Sequence, residues 1–158
     1  MTLTEKRMAK YPNTDTFTYY NANPKNKITT DCVIRALCTG MEKPYNDVVM
    51  ELAQMQCETG FDMSENSLID RYLQKNGWTR CKQPKQADGT KYTGAEFCRT
   101  LSNPIYSEEI NLTDKPFNWH RVIANLGGHH IVAIVEGTVY DTWNSTGGSI
   151  GIVWVKAE

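Results

Sequence analysis

Apolar positions recur at helical spacing through roughly the first two-thirds of the chain, and after Pro116 they crowd into short β-branched and aromatic runs. In TTDCVIRALCTG, residues 29–40, Val33, Ala36 and Leu37 fall at i, i+3 and i+4, with Ile34 and Met41 at the edge of the stripe. This predicts a helix capped by Thr29 or Thr30, with Asp31 in its first turn and Gly40 as its stop. KPYNDVVMELAQMQ predicts a second helix, with Pro44 in the first turn and Val48, Val49, Leu52 and Met55 on the buried face. SENSLIDRYLQKNG predicts a third, capped by Ser64, burying Leu68, Ile69, Tyr72 and Leu73, and ended by Gly77. WTRC reads as a short strand and KQPKQADGTKY as a loop. TGAEFCRTLSNP carries Thr93 and Glu96 at capping-box spacing, with Pro104 after its end.

The runs FNWHRVIANL, HHIVAIVE, TVYDTWN and SIGIVWVKA are rich in Val, Ile, Trp and Tyr and are separated by GG, EG and STGG. They predict an antiparallel meander of about four strands. Residues 1–28 are polar and read as an extended arm, with room for a short strand at TFTYYN and a loop at NANPKNK. Helices followed by strands predict an α+β fold, and 158 residues suit a single domain spanning 1–158.

Composition narrows the function classes. Apolar residues make up 40% and charged residues 22%, a globular balance. The net charge of -1 and the lack of a Lys/Arg cluster leave no electrostatic footprint for nucleic acid. No run approaches the apolar length of a membrane span, and MTLTEKRMAKYPNTD lacks the apolar core of a signal peptide. The expected location is therefore the cytoplasm. Five cysteines (Cys32, Cys38, Cys57, Cys81 and Cys98) show no CxxC spacing, and His120, His129 and His130 lie far from them in sequence. That pattern supports neither a zinc site nor any other metal, and a reducing compartment argues against disulfides. No cofactor is expected. Cys38, Cys57, Cys81 and Cys98 are expected in the core.

Cys32 differs because it opens a predicted helix, where the macrodipole favours a thiolate. A cysteine nucleophile also needs a histidine as base and acid, and a third group to orient that histidine. His130 heads a predicted central strand. A two-residue turn at Glu136-Gly137 pairs 130 with 143 and 132 with 141, so His130 and Asp141 share a face as diagonal neighbours. A one-residue change in the loop instead sets Asn144 opposite His130, and loop length alone leaves both open. Trp143 is expected in the core or as a shield over the Asp–His bond.

DCVIRAL with HIVAIV and WNS resembles the cysteine helix and the histidine hairpin of the papain-like cysteine peptidases. A block from Asn23 to Ala36 and a hairpin from Gly128 to Trp143 also resemble small phage and prophage proteins with an NPK…DCV.RA segment and a final GH…YDTW hairpin. The resemblance implies a papain-like fold and a thiol hydrolase acting on an amide or other acyl bond, with Cys32, His130 and Asp141 on the matching positions. It implies a phage-encoded protein in a host cytoplasm, with a protein or peptide as substrate or a host protein as partner. The alternative is a retired peptidase fold that acts by binding. Two departures stand out. The peptidases carry a Gln shortly before the cysteine, whereas here no Gln lies between Met1 and Asp31, and Asn26 is the candidate oxyanion amide. Asp31 directly precedes Cys32, where its charge opposes a thiolate.

Overall fold

The computed structural model describes residues 1–103, 110, 112–113 and 117–157. Its elements run α1 (Leu3–Lys10), β1 (Phe17–Tyr19), α2 (Cys32–Met41), α3 (Tyr45–Thr59), α4 (Asn66–Lys75), β2 (Trp78–Cys81), α5 (Gly94–Ser102), β3 (Phe117–Leu126), β4 (His130–Val135), β5 (Thr138–Asp141) and β6 (Ile150–Ala157). The α+β class is as expected. The sheet is larger than expected, with six strands in the order β1-β5-β4-β3-β6-β2. Only β3, β4 and β5 form a meander; β6 crosses back to pair antiparallel with β3. The sheet is mixed rather than antiparallel, because β1 lies parallel to β5, Phe17 against Val139 and Tyr19 against Asp141. Pairing order over such distances is set by tertiary packing, which local alternation does not encode.

Residues 1–28 are not wholly extended. Thr2 and Glu5 form a capping box, with Thr2 Oγ1 accepting from the Glu5 N–H at 3.1 Å and Glu5 Oε2 from the Thr2 N–H at 2.8 Å, and a helix follows. This helix buries none of its residues, so no apolar stripe announced it. The same device starts α5 at Thr93 and Glu96, as the spacing predicted. Pro104 lies outside the described residues.

Two apolar layers enclose the sheet. On one side α2, α3 and α4 bring Val33, Leu37, Val48, Leu52, Leu68, Ile69 and Leu73 against Ile123, Ile131 and Trp154. On the other, Phe97, Cys98 and Leu101 of α5 meet Val122, Val132, Ile134, Val139 and Val153. Leu37 is fully buried at 0% exposure, worth about 2 kcal/mol in transfer free energy. Gly40 does not stop α2. The helix runs on to Met41 and ends at Glu42 in the left-handed region (φ 56). Gly40 instead lets α2 approach the sheet closely, since a Cβ there would meet Ile123 Cγ1 at 2.7 Å. The N-caps also shift: Asp31 precedes α2 in place of Thr29 or Thr30, and Glu65 precedes α4 in place of Ser64. Among the described residues no helix is long and apolar enough to cross a membrane.

Candidate functional site

The hairpin fixes one half of the site. Glu136 (φ 51) and Gly137 (φ 70) both adopt left-handed conformations, as a tight two-residue turn requires. The register runs Val135↔Thr138, Ile134↔Val139 and Ala133↔Tyr140. This is the register that sets His130 and Asp141 on one face, and His130 Nε2 lies 2.5 Å from Asp141 Oδ2. Asn144 is engaged elsewhere: its Oδ1 accepts from the Thr146 N–H at 3.1 Å and from Thr146 Oγ1 at 2.6 Å, closing the turn before β6.

Helix α2 supplies the other half. Cys32 is its first residue, half-buried against the first apolar layer. His130 and the backbone N–H of Ile131 lie close enough to the Cys32 thiol for both to favour the thiolate. With Nε2 on Asp141, Nδ1 is the ring nitrogen left for Cys32. Asp31 supplies no side-chain cap, so the first-turn N–H groups of α2 are not used up by their own N-cap.

Charge within this cluster is balanced by alternation. Burial pushes the Cys32 thiol up, but the His130 hydrogen bond, the Ile131 N–H and the nearby positive charges outweigh it, holding the thiol below its ordinary value. Burial pushes His130 down, yet Asp141 and Cys32 raise it to about 9. Asp141 is 1% exposed and would be driven up by burial alone. Bonds from His130, Ser145 and Arg35 hold it below the usual carboxylate range. Its carboxylate is saturated, Oδ2 accepting from Ser145 Oγ at 2.7 Å and facing His130, and Oδ1 accepting from the Thr142 N–H at 2.7 Å and Arg35 Nη1 at 3.0 Å.

Arg35, Ser145 and Thr142 were not legible as site residues. Arg35 sits one turn after Asp31 on the helix, at the i+4 spacing of an ion pair, and that was the available signal. It also corrects the reading of Asp31. That carboxylate accepts from Arg35 Nε at 2.8 Å, from Tyr45 Oη at 2.6 Å and from Asn23 Nδ2 at 3.1 Å, so its charge is met before it reaches the thiol.

Other expectations fare differently. Asn26 is exposed, and its Nδ2 donates to Thr4 Oγ1 at 2.8 Å, so its amide is engaged with α1 rather than with Cys32. Trp143 is 40% exposed, outside the core, with its ring centroid 5.0 Å from that of His130. Cys38, Cys81 and Cys98 are buried as expected, whereas Cys57 is exposed on α3. All five thiols are free. His129 is exposed, and His120 pairs with Glu136 at 2.8 Å on the surface. Among the described residues no group of three or more His, Cys, Asp or Glu side chains could hold a metal ion. Set against protein-family models, curated proteins and solved structures, the chain matches none of them.

Proposed function

We propose that this protein is a thiol hydrolase of papain-like type, cleaving an amide or other acyl bond with Cys32 as nucleophile, His130 as acid and base, and Asp141 as the group that orients His130. The observation that carries the reading is the placement of His130 between Asp141, whose Oδ2 lies 2.5 Å from Nε2, and Cys32, whose thiol it favours as the thiolate. A thiol held low beside a histidine held high favours the thiolate–imidazolium form, which is the reactive one.

In this scheme the Cys32 thiolate adds to the substrate carbonyl carbon, and the C=O electrons move onto oxygen. First-turn N–H groups of α2, at the positive end of the helix dipole, face the oxyanion. The imidazolium then gives its proton to the leaving nitrogen, the C–N bond breaks, and a thioester remains on Cys32. Water attacks that thioester as His130 takes a proton from it, the C–S bond breaks, and the acid product departs. Asp141 holds the ring orientation throughout. The phage setting and the reducing host cytoplasm implied by the sequence resemblance go with this reading, and the five free thiols suit such a compartment.

The test is a pH series of iodoacetamide labelling on the native protein, resolved by peptide mass spectrometry, with His130→Ala alongside. Selective labelling of Cys32 well below pH 9.0, the ordinary thiol value, and its loss in His130→Ala, is the expected result. If Cys32 labels no faster than exposed Cys57, the hydrolase reading is overturned and a binding role for the fold takes its place.

A further inference from the structure

A buried arginine bridging two aspartates is unusual so close to a thiol. Arg35 is 8% exposed. Its Nε donates to Asp31 Oδ1 at 2.8 Å and its Nη1 to Asp141 Oδ1 at 3.0 Å. Asp31 lies immediately before Cys32, and Asp141 is bonded to His130. Read in order, Asp31, Arg35, Asp141, His130 and Cys32 form a line of charges alternating in sign. Two of the five, Cys32 and Arg35, belong to the first turn of α2, and Asp31 is its N-cap.

We infer that Arg35 is a positioning residue of this site: its guanidinium ties the start of α2 to Asp141 and cancels the charge of Asp31, so that Cys32 can be presented to His130 as a thiolate. The inference rests on the reading of Cys32 and His130 as a reactive pair. Two physical arguments support it. First, an unpaired Asp31 beside Cys32 would raise the free energy of any thiolate there, and Arg35 is the cation that meets it. Second, a rigid planar fork can satisfy two carboxylates on different elements at once, which fixes the Asp141 carboxylate relative to the helix. Asp141 is held by Arg35 and the Thr142 N–H on one oxygen and by Ser145 on the other, leaving the direction toward His130 as its remaining freedom.

The groups facing this cluster come from every neighbouring element. Asp31 caps α2 and Cys32 opens it, and Cys38, farther along the helix, donates its thiol to the Arg35 carbonyl at 3.4 Å. Tyr45 comes from α3 and Asn23 from the loop before α2, both on Asp31. Asp141 comes from β5, and Arg7 of α1 reaches the adjacent Thr142 carbonyl at 2.9 Å. Arg35 is the cation that contacts both carboxylates.

The experiment is an NMR titration of the His130 ring in the full chain, with Cys32 labelling rates measured over the same pH range. In Arg35→Met, removal of a positive charge linked to the ring through Asp141 should move the His130 midpoint and the Cys32 labelling midpoint upward together, by about one pH unit. Arg35→Lys keeps the charge and should leave both midpoints near the wild-type values, even if its melting temperature falls. Because Arg35→Met leaves two carboxylates without their shared cation and can fail to fold, Asp31→Asn is compared with Asp31→Asn/Arg35→Gln, which differ in the cation but carry one acid fewer. The double variant should titrate about one unit above Asp31→Asn. Unchanged midpoints across either comparison overturn the inference and reduce Arg35 to a structural tie. Absence of selective Cys32 labelling in the wild-type protein is a separate outcome: it overturns the hydrolase reading and the positioning role with it.

Discussion

Replacing Cys32 by serine should expose a pH dependence of stability that the intact pair conceals. His130 is raised from 6.5 to about 9, so its interactions contribute stability that is fully present below pH 6.5 and is lost as pH rises through about 9. Cys32 is held below its ordinary 9.0, so its contribution is present above that value and is lost as pH falls through the lowered one. In the wild-type protein the two oppose each other. Where the folded pair is thiolate–imidazolium, the folded chain carries on the ring the proton that the unfolded chain carries on sulfur. The number of bound protons is the same, and this pair adds little slope. In Cys32→Ser the folded ring still holds its proton against Asp141, while the unfolded ring releases it near pH 6.5. A rise of 2.5 units, the difference between 6.5 and about 9, corresponds to about 3 kcal/mol as an upper limit. Loss of the Cys32 share and solvent access to a side chain 18% exposed bring the expected figure to about 1–2 kcal/mol. Urea unfolding of both proteins at pH 6.5, 7.5 and 8.5 gives the difference directly, since all other titrating groups are common to both and cancel. Cys32→Ser should lose that amount relative to wild type as pH rises. Parallel curves would refute the thiolate–imidazolium assignment.

Gly40→Ala should destabilise the fold by about 1–2 kcal/mol, overpacking against Ile123 outweighing the gain in helix propensity. Adding Ile123→Val should recover part of that loss in a double-mutant cycle followed by thermal melts, and simple additivity would show that the 2.7 Å approach is relieved some other way. In native-state alkylation at neutral pH, Cys32 should react first and exposed Cys57 second. Cys38, Cys81 and Cys98 should wait for unfolding, because burial raises all three, Cys81 to about 11 and Cys98 to about 12. Early modification of Cys98 would mean that α5 opens from the sheet.

The legible parts of this molecule were those governed by local rules. The stripe of Val33, Ala36 and Leu37, the buried face of Leu68, Ile69, Tyr72 and Leu73, and the capping box at Thr93 are properties of neighbours in sequence, and each appears where its spacing put it. The hairpin was legible, but the choice of Asp141 over Asn144 was not, because a change of one residue in the loop reverses the alternation; the turn at Glu136 and Gly137 decides it in the folded chain. What was not legible depends on contacts between distant segments. The parallel pairing of β1 with β5 joins residues more than a hundred positions apart. Gly40 looked like a helix stop because a glycine used for close approach has the same local signature as a glycine used for a turn. Cys57 was placed in the core because it falls on or beside an apolar helical face, but it is exposed on α3.

Arg35 shows why a site is harder to read than the fold that carries it. At its own position it looks like a polar interruption of an apolar helix, and its i+4 partner Asp31 makes it look like a surface ion pair worth a few tenths of a kcal/mol. The third member, Asp141, lies 106 residues away and is brought to it by the sheet. Burial then changes the meaning of all three charges. An aspartate beside a nucleophilic thiol is unfavourable alone, and an arginine buried under a helix is unfavourable alone. Together with Asp141 and His130 they leave each charge in contact with its opposite, which is the condition under which ionised groups persist out of water. The same residue that argued against a thiolate when read as part of the sequence thus becomes, in the folded chain, the anchor for the cation that steadies the histidine's partner.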